Sequence, residues 1–173
     1  LPQIIALDQA IFGAYGADED PAVIAARIAV FPVGCVVLEE RPISGAAPHL
    51  LGYLTTEKWD TLREPVLDED PRLTHRPTGS VLNITTLAVA PQQQQRGLGR
   101  QLLTYALALA QREACTEIVL ETARAEHFDQ RYGFVKIRER YQRGILLHVM
   151  HSPSPSREFS RESSNLVDCP LPL

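Results

Sequence analysis

Leu87-Ala88-Val89-Ala90-Pro91-Gln92-Gln93-Gln94-Gln95-Arg96-Gly97-Leu98-Gly99-Arg100-Gln101-Leu102-Leu103 reads as a strand, a turn and the start of a helix. Leu82 to Val89 is rich in Val, Ile, Leu and Thr, as a buried strand should be. Pro91 has no N–H to give and stops the ladder. From Leu98 the apolar residues Leu98, Leu102, Leu103, Ala106, Leu109 and Ala110 recur at helical spacing and form one stripe. Gly97 and Gly99 lie between the two elements, where glycine permits positive φ and close approach of a ligand to the backbone. The free N–H groups of a helix start and the positive end of its dipole together make an anion cradle. Arg96 and Arg100 add positive charge, so the segment reads as a pyrophosphate-binding turn.

Two glycines alone fit equally a tight strand–helix turn that binds nothing. The dinucleotide fingerprint needs a third glycine, and Leu102 stands there. The P-loop needs a Gly-Lys-Ser/Thr ending, which is missing.

A third pattern fits. Gln94-Gln95-Arg96-Gly97-Leu98-Gly99 resembles the Gln/Arg-x-x-Gly-x-Gly/Ala turn of the GNAT acyltransferase superfamily, and Leu87-Ala88-Val89-x-Pro91 resembles that family's strand end. Ala125-Glu126-His127-Phe128, followed by Tyr132-Gly133-Phe134, resembles its late helix and Gly-Phe ending. The likeness spans roughly residues 3 to 150. It implies an α/β (α+β) fold: a mixed, mostly antiparallel central sheet flanked by helices. It also implies acetyl-CoA, or another acyl-CoA, as co-substrate. The amides of Gln94, Gln95, Arg96, Gly97, Leu98, Gly99 and Arg100 would hold the pyrophosphate. The splayed strand end Leu87, Ala88, Val89 would pair with the pantetheine arm, with Phe128 of the late helix beside the cofactor.

A chain of 173 residues suits one domain and can bury a core. The net charge of −4 and the lack of a basic run argue against a nucleic-acid surface. Acidity mildly favours cationic small substrates by steering. Cys35, Cys115 and Cys169 are widely spaced without a C-x-x-C, which reads as reduced cytoplasmic thiols and no metal site. No apolar run has transmembrane length, and no signal peptide is visible, so no membrane partner is expected.

The chain opens inside a helix pattern, Pro2 to Phe12, where a GNAT domain would have a strand first. That strand is expected to be missing, which leaves its neighbour an unpaired edge and allows a homodimer. Asp18-Glu19-Asp20-Pro21 starts a second helix, Ala22 to Phe31. Gly34 to Glu40 and Leu50 to Glu57 read as a hairpin, followed by a loop from Lys58 to Gly79, long enough to be functional. Within it, Leu73-Thr74-His75-Arg76-Pro77-x-Gly79 resembles a run of the arylalkylamine N-acetyltransferase branch. Glu117 to Glu121 is a strand, and Ala123 to Tyr132 a helix that Gly133 ends. Phe134 to Tyr141 and Ile145 to His151 are the last strands, completing a domain over residues 1–151. From Ser152 onward the composition supports no core and reads as a disordered tail, residues 152–173.

Acyl transfer to an amine needs a bound thioester, a deprotonated nucleophile, a polarised carbonyl and a protonated leaving thiolate. Backbone N–H groups near Leu87 to Val89 would polarise the carbonyl. Many GNAT enzymes place a Tyr thiolate donor directly after the helix Phe, but Asp129 stands there. Two His on the central strand of the arylalkylamine branch are replaced by Asn83 and Thr85. Asp129 is therefore a solvated residue or an acid with a raised pKa. Tyr132 is an aromatic core residue or the substitute donor. Glu121 is a strand-end charge or a base acting through water. His75 is a solvated loop residue or part of the acceptor site, with Asn83 and Thr85, which period two puts on one side with Leu87 and Val89. The implied activity is transfer of an acetyl group to a primary amine of a small molecule. The alternatives are a protein amine, or a catalytically impaired, acyl-CoA-binding regulatory protein.

Overall fold

The computed structural model describes residues 1–43, 45–123, 132–142 and 145–153. Two helices open the chain, α1 (Pro2–Phe12) and α2 (Pro21–Val30). The acidic start of α2 works as its sequence suggests: the Asp20 carboxylate accepts the Ala22 N–H at 2.7 Å, and Pro21 fills the first turn. The strands β1 (Cys35–Glu40) and β2 (His49–Trp59) form a hairpin. The short helix α3 (Pro71–Thr74) leads into β3 (Val81–Val89), then α4 (Leu98–Arg112) and β4 (Glu117–Thr122). The hairpin of β5 (Val135–Gln142) and β6 (Ile145–Pro153) closes the sheet.

The six strands lie in the order β1-β2-β3-β4-β6-β5. Only β3 and β4 are parallel, because α4 carries the chain from one to the other. This is the mixed, mostly antiparallel sheet flanked by helices that the sequence implies. Among the described residues β1 is paired on one side only, through β2.

Of the stripe on α4, Leu102, Leu103, Ala106, Leu109 and Ala110 are buried, joined by Leu107, while Leu98 at its start is half-buried. The stripe covers one face of the sheet, where Leu54, Leu82, Ile84, Ile118, Leu120 and Met150 meet it. The helices α1 and α2 cover part of the opposite face, with Ile4 and Ile24 packed on Tyr53 and Ala88. No helix among the described residues is long and apolar enough to cross a membrane.

Three sequence expectations change. The strand β2 runs through Lys58 to Trp59, so the loop after it is shorter than expected and contains α3. Lys58 stays in the strand because its ammonium donates to Pro77 O at 2.8 Å and Glu113 O at 3.1 Å, which satisfies a buried charge. His75 is not solvated: it is buried, its ring packs on Phe31 with centroids 4.8 Å apart, and Nδ1 accepts the Lys58 N–H at 3.2 Å. Ser152 is buried in β6 opposite Ile118, and β6 runs to Pro153, two residues beyond the expected end of the last strand. The expected late helix, apart from Ala123 and Tyr132, and residues 154–173 of the expected tail lie outside the described residues.

Candidate functional site

The site is built on β3, and its geometry begins with one extra residue. On β2, Thr55 pairs with Thr86 and Thr56 with Ile84, so Thr85 has no place in the ladder. Such a bulge turns the side chains after it to the other face. Before it, Leu82 and Ile84 face α4; after it, Leu87 and Val89 do. Asn83, cross-strand from Glu57, and Thr85, against Thr55, sit on the α1/α2 face instead. The period-two expectation that Asn83 and Thr85 share a side with Leu87 and Val89 is thus corrected, because the bulge breaks the period between them.

Beyond the bulge the sheet opens. β3 and β4 pair in register only from Val81↔Glu117 to Ile84↔Leu120. After that, among the described residues, β3 continues to Val89 paired with β2 alone, while Glu121 and Thr122 pair with β6 alone. A wedge therefore separates the ends of β3 and β4, and backbone N–H and C=O groups along one side of Thr85–Val89 are available to a ligand.

The turn after β3 closes the wedge's mouth. Pro91–Gln93 forms a single 3₁₀ turn, Gln95 takes φ 62° and Gly97 takes φ 79°. Gln94 Nε2 donates to Val89 O at 3.3 Å, and Arg96 donates to Gln93 Oε1, which ties the turn to the strand end. Gly97 caps α4 without a side-chain cap hydrogen bond among the described residues, and the first intrahelical bond runs from Gln101 N–H to Gly97 O. A Cβ on Gly97 would point into open space, whereas one on Gly99 would lie 3.9 Å from Leu87 and Val89. Gly99 thus packs on the splayed strand, and at Gly97 no atom of the described residues lies within 4 Å of an ideal Cβ, so the backbone there is open to close approach.

Across the sheet from α4 lies a polar network that the sequence reading did not single out. Asp8 of α1 is 2% exposed, and its carboxylate accepts the Tyr53 hydroxyl and, at 2.8 Å, the Glu19 N–H. Burial raises the Asp8 pKa above the ordinary carboxylate value, against the lowering effect of those hydrogen bonds. Burial and the neighbouring Asp8 likewise raise the Tyr53 hydroxyl. Arg27 of α2 pairs with Glu19 and lies 3.8 Å from Glu57. Glu57 also accepts the Trp59 indole N–H at 2.9 Å and the Thr74 hydroxyl. Beside it, Asn83 is 1% exposed, and its Oδ1 has no hydrogen-bond partner among the described residues. The signals were present in the sequence: Asp8 and Arg27 interrupt apolar helices, and Glu57-Lys58 interrupts an apolar strand.

Glu121 lies next to the last residue of β4, at the wedge, but the Arg140 guanidinium engages both its oxygens, Nε and Nη2 each at 2.7 Å. Tyr132 packs half-buried against the α4-side core. His75 supports β2 from within the core, away from solvent. Leu87 and Val89 pack on the α4 side while Ala88 is buried on the other. The turn residues Gln94, Gln95, Arg96, Gly97, Leu98, Gly99 and Arg100 stand together at the strand end as expected. Phe128 and Asp129 lie outside the described residues.

Comparison with known proteins agrees with this geometry. The family model described as Acetyltransferase (GNAT) domain matches residues 23–136. No curated protein sequence matches the chain at a significant level. Among solved structures, the loading GNATL domain of CurA from Lyngbya majuscula is similar at TM-score 0.72 and 17% identity, covering 88% of this chain and 92% of that one. The NatC complex bound to Gag peptide and CoA is similar at 0.63 and 20%, covering 88% and 89%. Arabidopsis thaliana Naa50 in complex with the bisubstrate analogue CoA-Ac-MVNAL is similar at 0.60 and 16%, covering 87% and 90%. At such identities these structures show the fold, and the family match spans well over half of the sequence. The chain belongs to the GNAT acetyltransferase family.

Proposed function

We propose that the protein transfers an acetyl group from acetyl-CoA to a primary amine of a small molecule. The observation that carries this reading is the wedge between β3 and β4, which opens beside an α4 N-terminus that no side chain caps among the described residues. The pyrophosphate would lie on the amides of Gln94–Arg100, and the pantetheine arm along Leu87, Ala88 and Val89, with Phe128 beside it. The backbone N–H groups of that strand end would polarise the thioester carbonyl. The amine would approach from the α1/α2 face, where Asn83 and Thr85 sit. The bidentate pairing of Glu121 with Arg140 makes Glu121 a support for the wedge rather than a base.

A protein amine is the second reading, favoured by the Gag peptide bound to the NatC complex and the bisubstrate analogue CoA-Ac-MVNAL bound to Naa50. A small cationic amine is preferred here because of the acidic balance of the chain. We place the protein in the cytoplasm, and the one-sided pairing of β1 allows a homodimer through that edge. Asp129, the residue in place of the usual Tyr, and Tyr132 are the candidate proton donors to the thiolate.

Thiol release from acetyl-CoA with a panel of small amines and short peptides tests the reading. Asp129→Tyr should raise turnover, within the roughly 10²- to 10⁴-fold that a general acid contributes. Coenzyme binding without turnover by wild type or Asp129→Tyr would make the non-catalytic, acyl-CoA-binding alternative the better account.

A further inference from the structure

Asn83 sits just below the point where β3 and β4 part. It pairs with Val119 of β4, Ile84↔Leu120 is the last pair, and Thr85 is the first residue beyond. The buried Oδ1 of Asn83 lacks a partner among the described residues, and its neighbours on the same face explain why. Across on β2 stands Glu57, itself an acceptor, whose carboxylate takes the Trp59 indole N–H and the Thr74 hydroxyl. Across on β4 stands Val119, and along β3 stands Val81, both apolar members of one buried cluster. None of the three side chains offers a donor. A buried acceptor without a donor destabilises a fold, and native chains keep few of them.

Two positions further along the same face, the bulge holds Thr85, half-buried, with its Oγ1 2.7 Å from Thr55 Oγ1. A hydroxyl has one proton and two lone pairs, so Thr85 bonded to Thr55 still accepts another N–H. Successive same-face positions stand about 7 Å apart along a strand, a gap that one nitrogen hydrogen-bonded to both side chains can bridge.

We propose that Asn83 Oδ1 and Thr85 Oγ1 together hold the acceptor nitrogen and restrict it to a primary amine. The inference rests on the acetyltransferase reading above and adds the groups that read the acceptor. A neutral primary amine has two N–H groups, one for each oxygen, and its lone pair stays free to face the thioester. A secondary amine has only one, and so leaves one of the two oxygens without a donor. A site built around a hydrogen bond rejects an analogue that cannot make it. Both side chains are positioning residues. A structural asparagine would be bonded within the fold, and its loss would destabilise the chain. An asparagine kept for the acceptor costs stability, so its replacement by an apolar residue should not.

The test uses the full chain, acetyl-CoA, and butylamine, benzylamine and an alanine-led peptide, each beside its N-methyl derivative. Wild type should favour a primary amine over its N-methyl form by about 10-fold or more in kcat/KM. Asn83→Leu should lower kcat/KM for the primary amine by about 10-fold, leave that for the N-methyl form nearly unchanged, and keep the Kd for coenzyme A. Its melting temperature should equal or exceed that of wild type. Thr85→Val should erase the preference from a half-buried position, and Thr85→Ser should restore it. If Asn83→Leu does not fold, the Thr85→Val and Thr85→Ser pair decides. With wild type active, a preference that survives in either Asn83→Leu or Thr85→Val overturns the proposal alone. So do an absent preference in wild type, a loss that falls equally on both amines, and a folded Asn83→Leu that melts well below wild type. No turnover of any amine by folded wild type overturns the transferase reading and this one together.

Discussion

Thr85 Oγ1 lies 2.7 Å from Thr55 Oγ1, although the strand ladder pairs Thr55 with Thr86. The contact fastens the extra residue of the bulge, and that extra residue sets which face every later side chain of β3 takes. Deleting Thr85 would send Leu87 and Val89 away from α4. Each loses burial worth about 1.5–3 kcal/mol if fully buried, which together is a large share of a typical domain's stability. Urea unfolding should show the deletion variant unfolded or marginal. Thr85→Ala, which keeps the bulge, should cost only about 1 kcal/mol, the size of one hydrogen bond.

Gly97 should be irreplaceable for the ligand while dispensable for the fold. Its φ of 79° disfavours a β-branched residue, by roughly 1–2 kcal/mol in the left-handed region, but the space at its Cβ is open. Gly97→Val should therefore remain folded and lose coenzyme binding. Wild type should gain about 2.7 kcal/mol from coenzyme at 100 times its Kd, read as a thermal shift that Gly97→Val lacks. Gly97→Asn, which tolerates that conformation, should fold with less strain than Gly97→Val.

Burial holds the His75 pKa below its ordinary 6.5, and because Nδ1 accepts the Lys58 N–H, the ring's own proton sits on Nε2. Protonating Nδ1 would set two donors against each other. The unfolded chain therefore takes up a proton first, as pH falls below 6.5. The stability that neutral His75 contributes is full above that pH and is lost as pH drops toward the folded pKa. Asp8 and Glu19, both raised by burial, act in the opposite sense, because the protonated form is the one their sites favour. In denaturant titrations from pH 7.5 to 5, His75→Gln should show a flatter decline than wild type.

Arg27 is the cation between two buried carboxylates, Glu19 and Glu57. Arg27→Met leaves both without it, and breaking a buried pair from one side costs about 3–5 kcal/mol. Adding Glu57→Gln should recover part of that loss, which a double-mutant cycle by thermal unfolding measures. Full additivity of the two substitutions would show that Arg27 and Glu57 do not interact.

The strand–turn–helix at Leu87–Leu103 was legible because its signals are local: glycine at the turn, proline at the strand end and a stripe at helical period. The mixed, mostly antiparallel character of the sheet followed from a resemblance carried largely by that same stretch. The facing of Asn83 and Thr85 was not legible, since a bulge has no signature in Asn-Ile-Thr-Thr-Leu and exists only relative to β2. His75 misled for the same reason. A histidine amid charged and proline residues looks solvated, and only the extension of β2 past Glu57 covers it. Asp8, Arg27 and Glu57 were visible as breaks in apolar patterns, but Tyr53, the partner of Asp8, is far away in sequence, so nothing nearby showed that they meet.

The segment between β2 and α3 ties distant parts of the chain to one another. Asp68 accepts the Asp20 N–H at 2.8 Å ahead of α2, while Glu64 pairs with Arg138 and Pro65 O accepts Arg140 Nη2 at 2.7 Å on β5. The opening helices and the closing hairpin are thereby fastened to the same few residues. Fraying at either terminus must loosen this shared anchor before it can proceed, so amide hydrogens near Asp20 and near Arg140 should exchange in one cooperative opening, and a single proteolytic cut between Glu64 and Asp68 should release both ends at once.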